Sequence, residues 1–225
     1  MYDMRVPPNR VFRLRLRGVN AYLVSDDDGL TLIDAGLPWD TERIRKRISD
    51  AGFDPEEIDR VLVTHFDLDH VGTLAALNLD ARVYLGDPDA SFLAGTDRPP
   101  LSNRKGLFQR AVDVFLTRPD LDIETVEDGE RIGRFVAHRL PGHTPGHTVY
   151  VHDDYGVAFV GDLVRGLDGE LAASPWPFTY DTAANEESVR ALAERTSGID
   201  VIAPGHGDPI RENGSDALRR LADSL

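Results

Sequence analysis

The stretch Thr64-His65-Phe66-Asp67-Leu68-Asp69-His70 decides how this sequence is read. It places two of the chain's seven histidines and two aspartates within seven residues, directly behind the apolar run Val61-Leu62-Val63. "RVLVT" (60–64) reads as a short buried strand, and "LDHVGTLAAL" (68–77) as the start of a helix that an aspartate can cap. In an extended loop leaving a strand, side chains two apart point the same way, so His65 and Asp67 can face one ion together. Where the chain turns into the helix, Asp69 and His70 can face a second position. A single metal rarely takes four ligands from six residues, so this density of donors argues for two ions.

Three further islands have the same character. "LPGHTPGHT" (140–148) carries His143 and His147, "FVGDLV" (159–164) carries Asp162, and "APGHGDP" (203–209) carries His206. Each sits where a strand ends, beside Gly or Pro, and glycine lets the backbone approach a shared site closely. Imidazole with carboxylate is the donor set of zinc, and of iron or manganese as carboxylates accumulate.

Outward from these islands the chain alternates strands and helices. "VFRLRLRG" (11–18) has the period-2 pattern of a half-buried strand, and "NAYLVSD" and "LTLIDAG" flank an Asp-Gly turn as a hairpin. Residues 41–52 are helical, with Ile44, Ile48 and Ala51 on one side and Gly52 as the stop. "RVYLG" (82–86) is a strand, and "DPDASFLAG" (87–95) a short helix opening on Pro. "DRPPLSNRK" (97–105) is loop, and "GLFQRAVDVFL" (106–116) is an amphipathic helix with Leu107, Phe108, Val112 and Phe115 on one side. Strands resume at "ERIGRFVAHRL", "HTVYVHD" and "GVAFVGD", then a helix at 186–196, the strand "DVIAP" and a closing helix at 214–225. Two sheets covered by outer helices follow from that order, an α+β class.

At 225 residues the chain has the length of one domain with a substantial insertion, enough to bury a full core. No apolar stretch approaches the roughly 20 residues that span a bilayer. The opening "MYDMRVPPNRVFRLRLRG" lacks the apolar centre of a signal peptide, so a cytoplasmic location is expected. With no cysteine there is no disulfide framework, thiolate ligand or cysteine nucleophile. The formal charge is -14, from 28 Asp and 11 Glu against 23 Arg and two Lys, Lys46 and Lys105. Such a surface repels phosphate backbones and disfavours nucleic acid as a partner. It fits either a GC-rich coding sequence or adaptation to high salt.

The ordered islands resemble the metallo-β-lactamase-fold hydrolases, whose pattern is His-x-His-x-Asp-His, a lone His, a bridging Asp and a final His. The pattern falls here on His65, Asp67, Asp69, His70, His143, Asp162 and His206, and "NAYLV" and "LIDAG" are further matches. Asp67 stands where the family has its second histidine. The resemblance implies a four-layer αββα sandwich over residues 1–225, with a helical cover inserted at about 87–128. It implies a first metal on His65, Asp67 and His143, a second on Asp69, His70 and His206, and Asp162 as bridge. Two divalent ions are expected, zinc first, with iron or manganese favoured further by the extra carboxylate. Asp34 is expected to support a metal-bound imidazole or a loop, and His147 to serve a structural or outer role. His138 and His152 are expected at the surface.

Two metals bridged by a carboxylate can hold a hydroxide between them, a nucleophile at neutral pH that needs neither Ser nor Cys. Asp69 is the candidate catalytic residue, orienting that hydroxide or returning a proton to the leaving group. The implied reaction is hydrolysis of a small-molecule carboxylic ester, thioester or lactone. A lactonase acting on a quorum signal and a non-hydrolytic metal-binding or di-iron redox protein are the alternatives. Phe108, Phe115, Trp176, Phe178 and Tyr180 are candidates to line the substrate pocket. The chain stops 19 residues after His206, so the helical addition that binds glutathione in glyoxalase II-like enzymes is not expected.

Overall fold

The structure, a computed structural model, describes residues 10–225. The first part of the opening stretch read for a signal peptide lies outside the described residues. Six strands form one sheet in sequence order: β1 (Val11–Arg15), β2 (Asn20–Asp26), β3 (Gly29–Ile33), β4 (Ile58–Leu62), β5 (Arg82–Gly86) and β6 (Ile123–Val126). A second sheet contains β7 (Arg131–Ile132), β8 (Phe135–Arg139), β9 (Thr148–His152) and β10 (Val157–Gly161). After the separate hairpin of β11 (Val164–Leu167) and β12 (Glu170–Ala173), β13 (Val201–Pro204) joins that sheet beside β10. The helices are α1 (Thr41–Asp50), α2 (Leu68–Val71), α3 (Leu74–Leu77), α4 (Asp89–Ala94), α5 (Arg104–Val112), α6 (Thr182–Arg195) and α7 (Gly214–Ser224).

Strand periodicity builds the layers. Along β2, Ala21 and Leu23 join Ile44 and Ile48 of α1 in one core, while Tyr22 and Val24 face the other sheet. Along β10, Val157 and Phe159 meet Tyr22 and Val24, while Ala158 and Val160 pack with Val189 and Leu192 of α6 and Leu218 of α7. Successive strand residues point to opposite faces, so two sheets buried on both faces give three apolar seams. Those seams separate the four layers of an αββα sandwich.

The layering leaves one edge for the site. β3 and β4 are parallel, as are β10 and β13, so Asp34, the 64–70 loop, Asp162 and His206 all leave strand C-termini on the same side. The sheets are stitched together there: Thr148 N–H donates to Thr64 O at 2.8 Å, and Asn20 N–H to Gly205 O at 2.7 Å. The Tyr22 hydroxyl donates to Pro204 O at 2.8 Å.

Several elements differ from their sequence signatures. "LDHVGTLAAL" is broken into α2 and α3, with Gly72 packed so tightly that a Cβ there would lie 2.4 Å from Pro38. The stretch 87–128 ends in β6, a short strand whose alternating Glu124 hides its period, so the cover narrows to α5 and its flanks. Helix α5 starts at Arg104 because Asn103 Oδ1 accepts from the Lys105 and Gly106 amides. Its buried residues are Lys105, Gly106 and Gln109, while Leu107 and Phe108, and Phe115 just beyond it, are exposed. His152 is buried rather than at the surface, set against Asp26 at 3.2 Å and stacked on Tyr155.

Candidate metal centre

The structure brings the seven candidate ligands to one place. His65, Asp67 and His143 form one set, Asp69, His70 and His206 another, and His65, His70 and Asp162 a third that lies between them. Within each set, one donor atom from every residue lies within 4.8 Å of the others. Asp162 reaches both sides: Oδ2 is 3.5 Å from His143 Nε2 and 3.2 Å from His206 Nε2, and Oδ1 is 3.5 Å from His70 Nε2. The backbone yields to this crowding at Gly205, where a Cβ would sit 2.4 Å from Asp162 Oδ1 and 2.7 Å from His70.

The imidazoles share one arrangement. His70 Nδ1 contacts Asp34 Oδ2 at 2.8 Å, His143 Nδ1 contacts Ser174 Oγ at 2.8 Å, and His206 Nδ1 contacts Gly18 O at 2.7 Å. Thr64 Oγ1 donates to Asp34 Oδ2 at 2.8 Å, so its oxygen can accept from His65 Nδ1 at 2.9 Å. With each Nδ1–H committed outward, each Nε2 lone pair faces the centre, as a ligating histidine requires. Asp34 organises two of the four, directly for His70 and through Thr64 for His65. His147 is buried beside them, its Nε2 accepting from the Asp162 amide at 3.2 Å, an outer position that fixes the Asp162 backbone.

Three inward atoms test whether a metal fits. His65 Nε2, His70 Nε2 and Asp162 Oδ1 are buried without a hydrogen-bond partner. Leaving such atoms bare costs about 1–3 kcal/mol each, and a divalent cation is the group that satisfies all three lone pairs. The donor set therefore fits metal binding. Neither aspartate of the loop spends itself on capping: Asp67 makes no side-chain cap to α2, and Asp69 Oδ2 lies 3.2 Å from His206 Nε2.

One feature distinguishes the two sides. Lys105, from α5, is buried with Nζ 2.8 Å from Asp67 Oδ2 and 2.7 Å from His143 Nε2. Gln109, one turn on, donates to Asp67 Oδ1 at 2.7 Å and to Phe66 O, and takes the Tyr180 hydroxyl on Oε1. Among the described residues, no lysine or arginine nitrogen is in ion-pair reach of Asp69 or Asp162.

Electrostatics follow this division. Burial, then the Lys105 charge, lowers His143 to about 4. Burial would raise Asp67, but Lys105 and then His65 hold it well below the carboxylate range. On the other side, burial would lower His70, yet Asp34, Asp162 and Asp69 push it up to about 9. His206 is likewise depressed by burial but driven by Asp162 and Asp69 up to about 11. Burial would raise Asp162, and His206 and His70 hold it well below its usual range.

Sequence reasoning did not single out Thr64, Ser174, Gln109, Asp89 or Lys105 for the site. Asp89 ties the two ligand loops together, accepting from Phe66 N–H and Gly146 N–H at 2.8 Å each. Lys105 carried a usable signal, as one of only two lysines in the chain. Of the proposed pocket aromatics, Phe108, Phe115, Trp176 and Phe178 are exposed. Tyr180 instead turns its hydroxyl onto Gln109. Trp176 stacks under Arg104, 4.1 Å from the ring centroid, which ties that turn to the cover helix.

The chain is similar to several known proteins. The probable metallo-hydrolase YflN of Bacillus subtilis is 28% identical over 244 residues, covering 96% of this chain and 90% of its own length. The hydroxyacylglutathione hydrolase GloC of Haemophilus influenzae is 30% identical over 199 residues, covering 84% of this chain and 85% of its own. The solved structure of TTHA1623 in a di-iron-bound form is 28% identical, with a TM-score of 0.72 over 95% of this chain and 100% of that one. The family model of the metallo-beta-lactamase superfamily matches residues 14–206, from β1 to the last histidine of the site. With its layers, its ordered ligand islands and that match in agreement, the chain belongs to the metallo-beta-lactamase superfamily.

Proposed function

We propose that this protein hydrolyses a small-molecule carboxylic ester, thioester or lactone, using divalent metal held at the centre above, zinc before iron or manganese. One observation carries the proposal: four imidazoles turn Nε2 inward around the shared Asp162, each with Nδ1 anchored from outside. His65, Asp67 and His143 would hold one ion, Asp69, His70 and His206 the other, with Asp162 between them. When bound, the metal supplies Lewis acidity, polarising a carbonyl and making water nucleophilic near neutral pH.

The chain's own groups do the rest. Asp69 is half-buried, with one oxygen on His206 and an open side toward solvent, the position for a carboxylate that orients water or hands a proton to a leaving group. The exposed aromatics Phe108, Phe115, Trp176 and Phe178 are the choice for contact with an apolar part of the substrate. The relative named for hydroxyacylglutathione supports a thioester among the candidates. The additional carboxylate at Asp67 and the di-iron neighbour keep iron in view as the metal. A cytoplasmic setting, with a small molecule rather than nucleic acid as partner, belongs to the same proposal.

A panel of chromogenic esters, lactones and thioesters, assayed beside metal analysis of the same preparation, tests it. Turnover of at least one class, abolished by a chelator and restored by zinc, iron or manganese, is expected. A metal-loaded protein inert to every class would reject ester, thioester and lactone hydrolysis.

A further inference from the structure

Lys105 occupies ground that belongs to the first metal position. Its Nζ lies 2.8 Å from Asp67 Oδ2, 2.7 Å from His143 Nε2 and 3.1 Å from His143 O. An ammonium has three donors and no acceptor, and these three acceptors match it one for one. Asp67 Oδ2 and His143 Nε2 are also the two atoms that, with His65 Nε2, make up the first ligand set. Asp67 Oδ2 stands 3.2 Å from His65 Nε2 and 3.1 Å from His143 Nε2, so the lysine sits on two of three donors that already stand together.

The lysine is held there by its helix. Asn103 caps α5 and donates through Nδ2 to Tyr180 O at 3.0 Å. Gly106 lets the helix approach its own preceding loop, since a Cβ would lie 2.3 Å from Pro100 O. Gln109 fixes the next turn to Phe66 O and Asp67 Oδ1, and Arg104 packs on Trp176. Lys105 is therefore a buried, pre-positioned cation. The opposite position has no counterpart: among the described residues, the groups in ion-pair reach of Asp69 and Asp162 are imidazoles, with no lysine or arginine nitrogen beside them.

We propose that Lys105 is an internal cation that competes with a metal ion for the position formed by His65, Asp67 and His143. The protein then takes one ion tightly on Asp69, His70, His206 and Asp162, and admits a second only when Lys105 withdraws. The physical basis is direct. A divalent ion at the first position would share Asp67 Oδ2 and His143 Nε2 with an ammonium, losing ligand lone pairs and gaining like-charge repulsion in a buried site. Asp67 suits this use better than a histidine, because a carboxylate pairs with either cation. This inference rests on the proposed metal-dependent reading.

The test is metal content rather than turnover. Wild type, Lys105→Met and Lys105→Gln are dialysed against stepped free Zn(II) set by a metal buffer, then measured by plasma mass spectrometry, with folding checked by circular dichroism. The wild type should hold one equivalent over a range of at least 100-fold in free zinc where a folded variant holds two. Two equivalents filling wild type at a single midpoint would overturn the proposal, whether or not either variant folds. So would a folded variant that stops at one. No uptake by any of the three of zinc, or of iron or manganese offered in its place, would remove the metal-dependent reading itself, a result distinct from the other two.

Discussion

The two halves of the centre use the same kinds of ligand and differ in what balances their charge. At His65, Asp67 and His143 the carboxylate already has a cation, the buried ammonium of Lys105. At Asp69, His70 and His206 the positive charge among the described residues is a proton on the imidazoles, pushed there by Asp34, Asp69 and Asp162. One position is guarded by a side chain and the other by protons. A metal must evict a lysine in the first case and protons in the second, so a shared ligand set gives two binding problems.

Asp162 is the point at which the halves meet, and its loss should have the largest effect. Among the described residues it is the single carboxylate within 4.0 Å of all four imidazoles. Asp162→Ala should reduce hydrolysis by more than the roughly 10–100-fold that loss of an outer partner causes, and on a Lys105→Met background, where both positions are open, it should lower metal content at both. Metal analysis and turnover of the same preparation check this. A variant that lost metal from one side only would show that the halves are independent and that Asp162 belongs to one of them.

Much of this was legible because the candidate ligands are polar residues placed at strand ends. The six-residue cluster, the glycine-flanked His143 and His206 and the "FVGD" ending at Asp162 are local signals, and the strands between them carry period 2. What was hidden depended on contacts far apart in sequence. Helix α5 looked apolar-faced from Leu107, Phe108 and Phe115, yet it buries Lys105 and Gln109, because acceptors on Asp67 and His143 outcompete a greasy surface for that side. Ser174 reaches His143 across 31 residues, and His152 finds Asp26 across 126. No local pattern encodes such pairs. The strand β6 was missed because four residues with two polar side chains give too little periodicity to see.

Outer partners give a second, graded comparison. Asp34 holds His70 through a carboxylate, while Ser174 holds His143 through a hydroxyl. A charged acceptor makes the imidazole a stronger donor and fixes it more firmly. Asp34→Ala should therefore weaken zinc at the second position by about 10–100-fold, within the usual outer-shell range. Ser174→Ala should weaken the first position by less, on a background where Lys105→Met has opened it. Competition with a chromophoric chelator reads both. Equal losses would mean that the two anchors are equivalent and that charge on the anchor does not set the difference between the halves.

The last comparison is a slope with pH. His70, raised to about 9, and His206, raised to about 11, are protonated at neutral pH in the metal-free protein. Their folded values lie above the ordinary histidine value of about 6.5, so their contribution to metal-free stability is complete below that pH. It fades as pH rises through about 9 and then about 11. Metal binding runs the other way, because an ion requires the neutral imidazoles and must displace those protons. Zinc affinity at the second position should rise with pH between about 7 and 8.5, by up to roughly tenfold per unit for each proton released. At the first position His143, lowered to about 4 by burial before Lys105, is already neutral, and burial keeps it low when Lys105 is gone. The ion admitted there in Lys105→Met should gain little from His143 over the same range. Calorimetric titrations in buffers of different ionisation enthalpy count the released protons directly. A steep slope for the added ion and a flat one for the first would reverse the assignment, placing the proton-guarded position at His65, Asp67 and His143.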